Sequence, residues 1–471
     1  MRRQMRSKQA AALATVLLAV GCLVGIAIAW FASNTSFLGD FRAFYCAGDV
    51  ARRGADPYLV EPLHACELAT MEKPINSVWR AVVIPAPMPP YVIAAFSLVS
   101  LLPFKLAAFL WTSLMLLSGA LSVAILSRIT NVSLSTIVSA VLLSVIGTSL
   151  TLGQIAPLAI VATCVAALCV SRERWVWAAV AGASTLIEPA IGVPVCLSIA
   201  WWRPRTRIPL AACCAVLLLT SIVLGIQTNI EYVLRVLPAH AMSEIGSDEQ
   251  YSLTVILHAL GMAPRAAIFA GSAWYVGMLA LGTAFAGVAA ARLKQPAFYA
   301  LLPPAICALG GPFMHLTQIA VAVPAALLLV SAQRRGLAFA ALILVALPWP
   351  MAQSPAFAVI ASLLTFAMAY GIFGGKVIPA SIFAAIVAIV ALALFQGYRT
   401  EAPSVSNRRV LSIDPQLAQA SWGDLMTQRY SRGDAISWLK RAPTWAGLLL
   451  LVLAAGPQVN RRSRDLPNVT V

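Results

Sequence analysis

The sequence predicts an all-α polytopic membrane protein, and three observations predict it: apolar runs of membrane-crossing length recur along the chain, charge is scarce, and what charge there is sorts by sign. Apolar residues make up 60% of the 471 and charged residues 11%, whereas a soluble domain carries about 25% charged residues. Runs of about 20 apolar residues suffice to cross roughly 30 Å of hydrocarbon. In lipid such runs must be helices, because a lone helix satisfies its own backbone hydrogen bonds. Alternating ten-residue strands, the mark of a transmembrane barrel, do not occur. The first run, Ala10 to Ala32 behind the basic Met1–Lys8, is too long for a signal peptide core. It reads as an uncleaved first span.

The net charge of +16 does not point to nucleic acid. Basic residues sit in short clusters between apolar runs: Arg2, Arg3, Arg6 and Lys8; Arg128; Arg172 and Arg174; Arg203, Arg205 and Arg207; Arg292 and Lys294; Arg334 and Arg335; Lys376; Arg461, Arg462 and Arg464. Only Glu173 and Asp465 interrupt them. This is the pattern of cytoplasmic loops and tails. With those clusters inside, crossings fall near 10–32, 104–127, 133–150, 154–171, 207–226, 266–291, 297–311, 314–331, 336–351, 356–373, 377–396 and 443–457. That makes about 12 transmembrane helices in one membrane domain spanning 1–471, with both termini cytoplasmic and residues 458–471 as the tail.

Two segments are not simple crossings. Residues 88–102 follow Pro85, Pro87, Pro89 and Pro90 and end at Pro103, so they dip into the outer leaflet. Residues 175–201 lie between two basic clusters and must enter and return, broken at Glu188-Pro189. Three long polar segments, 33–87, 227–265 and 397–442, then lie outside, with the turns at Gly153-Gln154 and Gly311–His315. The last of these segments either packs over a site, touches anionic lipid or is a solvated loop. No Walker loop, dinucleotide fingerprint or HExxH motif occurs, which argues against ATP-driven transport by this chain alone. No metal site is expected. Of the nine cysteines, Cys46 and Cys66 share the first outer segment and either pair or stay free; the other seven sit in apolar segments.

That first segment reads Asp40-Phe41-Arg42-Ala43-Phe44-Tyr45, with Gly54-Ala55-Asp56-Pro57-Tyr58 downstream. Asp40 is either a helix N-cap or a functional acid. Phe41, Phe44 and Tyr45 predict a helix lying along the interface with its rings at headgroup level. Asp56 before Pro57 reads as a turn residue. Glu188 is the one acid left inside an apolar segment, where an ionisable group is costly and a candidate for function. Its alternative is a protonated carboxyl bonded to backbone freed by Pro189.

Together these stretches resemble glycosyltransferase family 87, which includes polyprenyl-phosphate-mannose-dependent α-1,2-mannosyltransferases. Pro89-Pro90-Tyr91 before Leu102-Pro103 and Trp111 looks like that family's proline-rich approach to a span. Gly153-Gln154-Ile155-Ala156-Pro157 is similar to its Gly-Gln-x-Asn-Pro turn, with Ala156 where Asn is usual. Gln250-Tyr251-Ser252-Leu253 looks like its Asn-x-Ser-Leu stretch, and Gly311-Pro312-Phe313-Met314-His315 like its Ser-Pro-x-x-His segment. Ile187-Glu188-Pro189 stands where the family has Lys-Pro, so a cationic contact is missing or reversed there.

The resemblance implies a GT-C-type fold, a plasma-membrane location and an active site on the outer face. It implies transfer of a hexose, mannose foremost, from a polyprenyl-phosphate sugar to a glycolipid or cell-envelope glycan, with inversion. The implied partners are membrane lipids, that donor and that acceptor, with no nucleic acid and no cofactor beyond the lipid-linked donor. By match to the motif, Asp40 is the general base, and Arg42, Tyr45, Gln154, Glu188, Ser252 and His315 are candidates for donor or acceptor binding. Each has a structural alternative: Arg42 a headgroup contact, Gln154 a turn closure, Ser252 a helix cap, His315 a structural ring. The rival readings of the whole chain are a transporter or flippase and a family member that binds without transferring.

Overall fold

The computed structural model describes residues 38–71, 82–247, 249–333, 336–352, 354–399, 413–429 and 435–456. The expected first span at 10–32 and the basic clusters at 2–8, 334–335 and 461–464 lie outside the described residues. Every regular element described is a helix; the only bridges among the described residues are the single pairs Leu59–Leu417 and Gln250–His315. Five described helices are long and apolar enough to cross a membrane: Phe104–Ile129, Pro204–Ile222, Pro264–Leu293, Pro355–Ile372 and Val377–Gln396. The other apolar helices are shorter, among them Ala156–Ser171, Phe298–Cys307 and Gly336–Ala346. Proline sets several starts, at Pro90, Pro189, Pro264 and Pro355, because its fixed φ suits the first helical turn and its missing N–H is not needed there. Ile208, Leu218, Leu219, Val223, Leu363, Ile378 and Ile389 are exposed, an apolar surface that suits lipid rather than water.

Several basic turns pack against neighbouring chain ends and turns. Among the basic turns, the Arg203 guanidinium lies 4.5 Å over the Tyr299 ring and 5.7 Å over that of Trp175. Arg292 donates to the carbonyls of Gly456 and Ala454, and the Asn131 N–H donates to Ser331 Oγ. Residues 175–201 are broken as expected. The helices Trp175–Ser184 and Pro189–Trp202 flank a short 3₁₀ turn, and Glu188 is extended at φ −125°, ψ 94°.

The segment after residue 37 departs from expectation. Gly39–Arg52 is a helix, but the rings expected at headgroup level are covered by protein. Phe41, Phe44 and Tyr45 are buried in protein. The Phe41 ring stacks on Trp111 at 5.4 Å and Tyr45 meets Phe104 edge-on at 5.3 Å. Those rings come from the helix that follows Pro103, and burying aromatic area against partners outweighs leaving it half wet. A Cβ at Gly48 would stand 2.4 Å from the Phe96 backbone, so the Pro90–Val99 helix seats here only against glycine.

Cys46 and Cys66 are disulfide-bonded, joining this helix to Val60–Ala69. The bridge closes a loop of separation 20, for which chain-entropy arguments give about 3 kcal/mol. Replacing both cysteines by serine is expected to cost about that much stability and lower the melting temperature in detergent. An unchanged melting temperature would show that the packing alone holds the segment.

Candidate active site

The site is assembled by two turns and three loop segments distant in sequence. The turn ending at Gly153 carries the first of its partners. Thr151 and Leu152 carbonyls accept from the N–H groups of Leu38, Asp40 and Phe41 at 2.7, 3.0 and 3.3 Å. The Gly153 carbonyl accepts from Trp111 Nε1 at 2.8 Å. Backbone bonds thus seat the start of the Gly39–Arg52 helix on this turn. Gln154 then donates its amide to the Asp40 carboxylate.

Asp40 does not cap its helix. Leu38 takes the N-cap place, in a left-handed conformation, and Asp40 lies in the first turn with its side chain turned to Gln154. The carboxyl is pushed up to about 7, first by burial and then by Glu249, with Glu244 adding less; the Gln154 amide opposes this. A carboxyl poised near neutrality and held in place by an amide has the properties of a general base.

The third and fourth motifs zip together. Tyr251 N–H donates to Met314 O at 2.8 Å, and Gln250 Oε1 accepts from Met314 N–H at 2.7 Å. Ser252 is fully buried at the N-cap position without capping through its side chain; its hydroxyl donates to Pro312 O at 3.4 Å. Its place is in the joint between the two segments. Gln250 Nε2 lies 3.0 and 3.3 Å from the two ring nitrogens of His315. His315 N–H donates to Gln318 Oε1 at 2.8 Å, and Gln318 Nε2 donates to Glu188 Oε1 at 2.8 Å.

Glu188 therefore does not rely on backbone freed by Pro189. Its carboxylate reaches the His315 segment and is a neighbour of the site, not an isolated acid below it. Gln318→Leu removes both bonds and is expected to cost about 1–3 kcal/mol, the penalty of leaving a buried acceptor without a donor. Thermal unfolding in detergent measures it, and a loss near zero would mean that Glu188 finds water.

Two sequence candidates stand apart from Asp40. The Arg42 side chain is buried, 5.4 Å over the Phe104 ring. Burial pulls its pKa down and the charge of Glu67 opposes this. It faces the aromatic core, because a helical position two residues on points to another side. Tyr45 donates its hydroxyl to Leu102 O at 2.8 Å and ties the helix to the turn before Pro103. Of the weaker acids, Asp49 pairs with Arg52 and Arg53, both at 2.6 Å. Asp56 accepts from Tyr58 N–H at 2.9 Å, as a turn residue does.

Four neighbours of the site carry no local sequence signal that singles them out: His240, Glu244, Glu249 and Gln318. His240 and Glu244 are one helical turn apart, a spacing visible in the sequence, but nothing local ties them to His315. The His240 and His315 ring centres are 6.0 Å apart. Glu244 accepts from Trp422 Nε1, on the Ala418–Arg429 helix. The described Ala418–Arg429 helix of the last polar segment thus bonds to the residue that follows the Leu237–Ser243 helix. His240 is pushed down to about 3 by burial and then by His315, so it stays neutral. A separate cavity of about 540 Å³ is lined by Arg235, Met242, Arg265, Phe269 and Asp414. It lies beside Ala239 and Met242 rather than over Asp40.

Fold and site together define a helical membrane protein with two polar groupings at its motif turns, Asp40 with Gln154, and His315 with Gln250 and Gln318 beside His240 and Glu244. The model of glycosyltransferase family 87 matches residues 88–316, just under half of the chain, and over that span the chain is similar to this family. Gln154, Glu188, Ser252 and His315 fall inside the matched span, and Asp40, Arg42 and Tyr45 precede it. No curated protein and no solved structure matches the chain.

Proposed function

We propose that this chain is a membrane glycosyltransferase that moves a hexose, mannose foremost, from a polyprenyl-phosphate donor to a glycolipid or cell-envelope glycan, with inversion. The reaction takes place on the outer face of the plasma membrane, in a GT-C-type fold of about twelve crossings with both termini cytoplasmic. The observation that carries the reading is the Asp40 carboxylate held by the Gln154 amide.

The chemistry follows from that placement. The acceptor hydroxyl attacks the anomeric carbon while Asp40 takes its proton. The bond from that carbon to the phosphate oxygen breaks, and polyprenyl phosphate leaves as an anion, so no protein acid is needed. General-base assistance of this kind contributes roughly 10²–10⁴-fold. Nucleotide sugars are cytoplasmic, which is why an outward site takes a lipid-linked donor whose tail stays among the helices. Arg42 faces away from Asp40 and Glu188 replaces the family lysine, so donor phosphate finds its partners among Gln154, His315 and neighbouring N–H groups.

The test supplies purified full-length protein with polyprenyl-phosphate mannose, other polyprenyl-phosphate hexoses and an acceptor glycolipid. Transfer by wild type that falls in Asp40→Asn supports the reading. No transfer with any donor removes it, and counter-transport in proteoliposomes would then favour a carrier.

A further inference from the structure

We propose that His240, Glu244 and His315 form a binding site for one divalent transition-metal ion, zinc in first place. Their ligand atoms all lie within 4.8 Å of one another. His240 and Glu244 are four apart, at the end of the Leu237–Ser243 helix, and so project from one face. His315 comes from a separate segment, fixed by the bonds of Met314 to Tyr251 and Gln250 and by its own N–H to Gln318. Two imidazoles and one carboxylate are a borderline donor set that suits zinc and leaves a coordination position for another ligand.

A second observation points to a ligand independently. His240 Nδ1 is buried and has no hydrogen-bond partner among the described residues. Buried polar atoms are nearly always satisfied, and a coordinated ion would satisfy this one. Glu244 has the kind of outer support that ligating carboxylates have, accepting from Trp422 Nε1. Zinc–nitrogen bonds of about 2.0–2.1 Å require the three groups to draw together by side-chain rotation. His315 then exchanges its bond from the Gln250 amide for the ion.

Such an ion supplies positive charge beside the site, where Arg42 is turned away and Glu188 stands in place of a lysine. That role rests on the proposed transfer reaction; the binding does not.

Full-length protein in detergent is stripped with EDTA, exchanged into chelator-free buffer and titrated with zinc chloride by calorimetry, with elemental analysis of the product. One zinc per chain is expected. Glu244→Gln and His315→Ala should each weaken binding at least tenfold, and His258→Ala should leave it unchanged. Glu244→Gln keeps size and can still accept from Trp422, so its circular dichroism and melting curve separate lost binding from lost folding. No binding by wild type, or equal binding by well-folded Glu244→Gln and His315→Ala, overturns the proposal. Zinc bound without sugar transfer keeps the metal site and rejects the transferase reading. Transfer by protein that binds no zinc does the reverse.

Discussion

Asp40→Asn is expected to lower sugar transfer by about 10²–10⁴-fold while leaving the fold intact. Asparagine keeps the shape and can accept from the Gln154 amide, but it cannot take a proton. Wild-type transfer should depend on pH in a definite direction. The base must be ionised, and the Asp40 carboxyl sits at about 7 against an ordinary 3.8. Transfer should therefore rise as pH rises through about 7 and level above it, with roughly a tenth of the maximal rate at pH 6.

The same shift has a stability sign. A carboxyl whose folded pKa is raised favours the folded state at low pH, and that contribution is lost as pH rises through about 7. Asp40→Asn should consequently melt higher than wild type at pH 8 and differ little at pH 4. A flat rate profile between pH 5.5 and 8, or an Asn variant with full activity, would remove Asp40 as the base.

Gly153→Ala is expected to be nearly as damaging, by geometry alone. Gly153 has φ +75°, and a Cβ there would stand 2.6 Å from Phe41 Cβ and 3.1 Å from Leu38 Cδ2. The atoms struck belong to residues on either side of Asp40, so relief of the clash moves Asp40 relative to Gln154. Misplacement on the order of 1 Å costs about 10²-fold in rate, and forced overpacking costs about 1–3 kcal/mol. Gly54→Ala is the matched control: its φ is +77°, with nothing within 4 Å. It bears the backbone strain without the clash. Equal transfer rates for the two variants would show that the seating of the helix on this turn does not matter.

Legibility in the sequence differs from residue to residue. The break at Glu188 is legible, because proline cannot continue the helix hydrogen bonding and an acid within an apolar run must meet a polar partner. Gln154 is legible as a polar residue in a turn, but not as the partner of Asp40, from which it is separated by 114 positions. Ser252 reads as a cap, and the structure uses its position but turns its hydroxyl to Pro312. The rings of Phe41 and Tyr45 read as interfacial because helical spacing shows that a face is apolar, not what covers it. Lipid headgroups and a neighbouring Trp111 are alike to a sequence pattern.

By itself the sequence determined the class: a helical membrane protein whose polar groups collect in a few turns and long loops, with Asp40 at the head of the first. Composition and run length decide that, since they set which solvent the chain can face. The tertiary structure alone decided the partners. It turned Arg42 inward to the aromatic core, joined Glu188 to Gln318 across 130 positions, and set His240 and Glu244 against His315. Hydrogen bonds and ligand clusters depend on which remote turns meet, and that is settled by helix packing around the whole bundle. No local spacing records it.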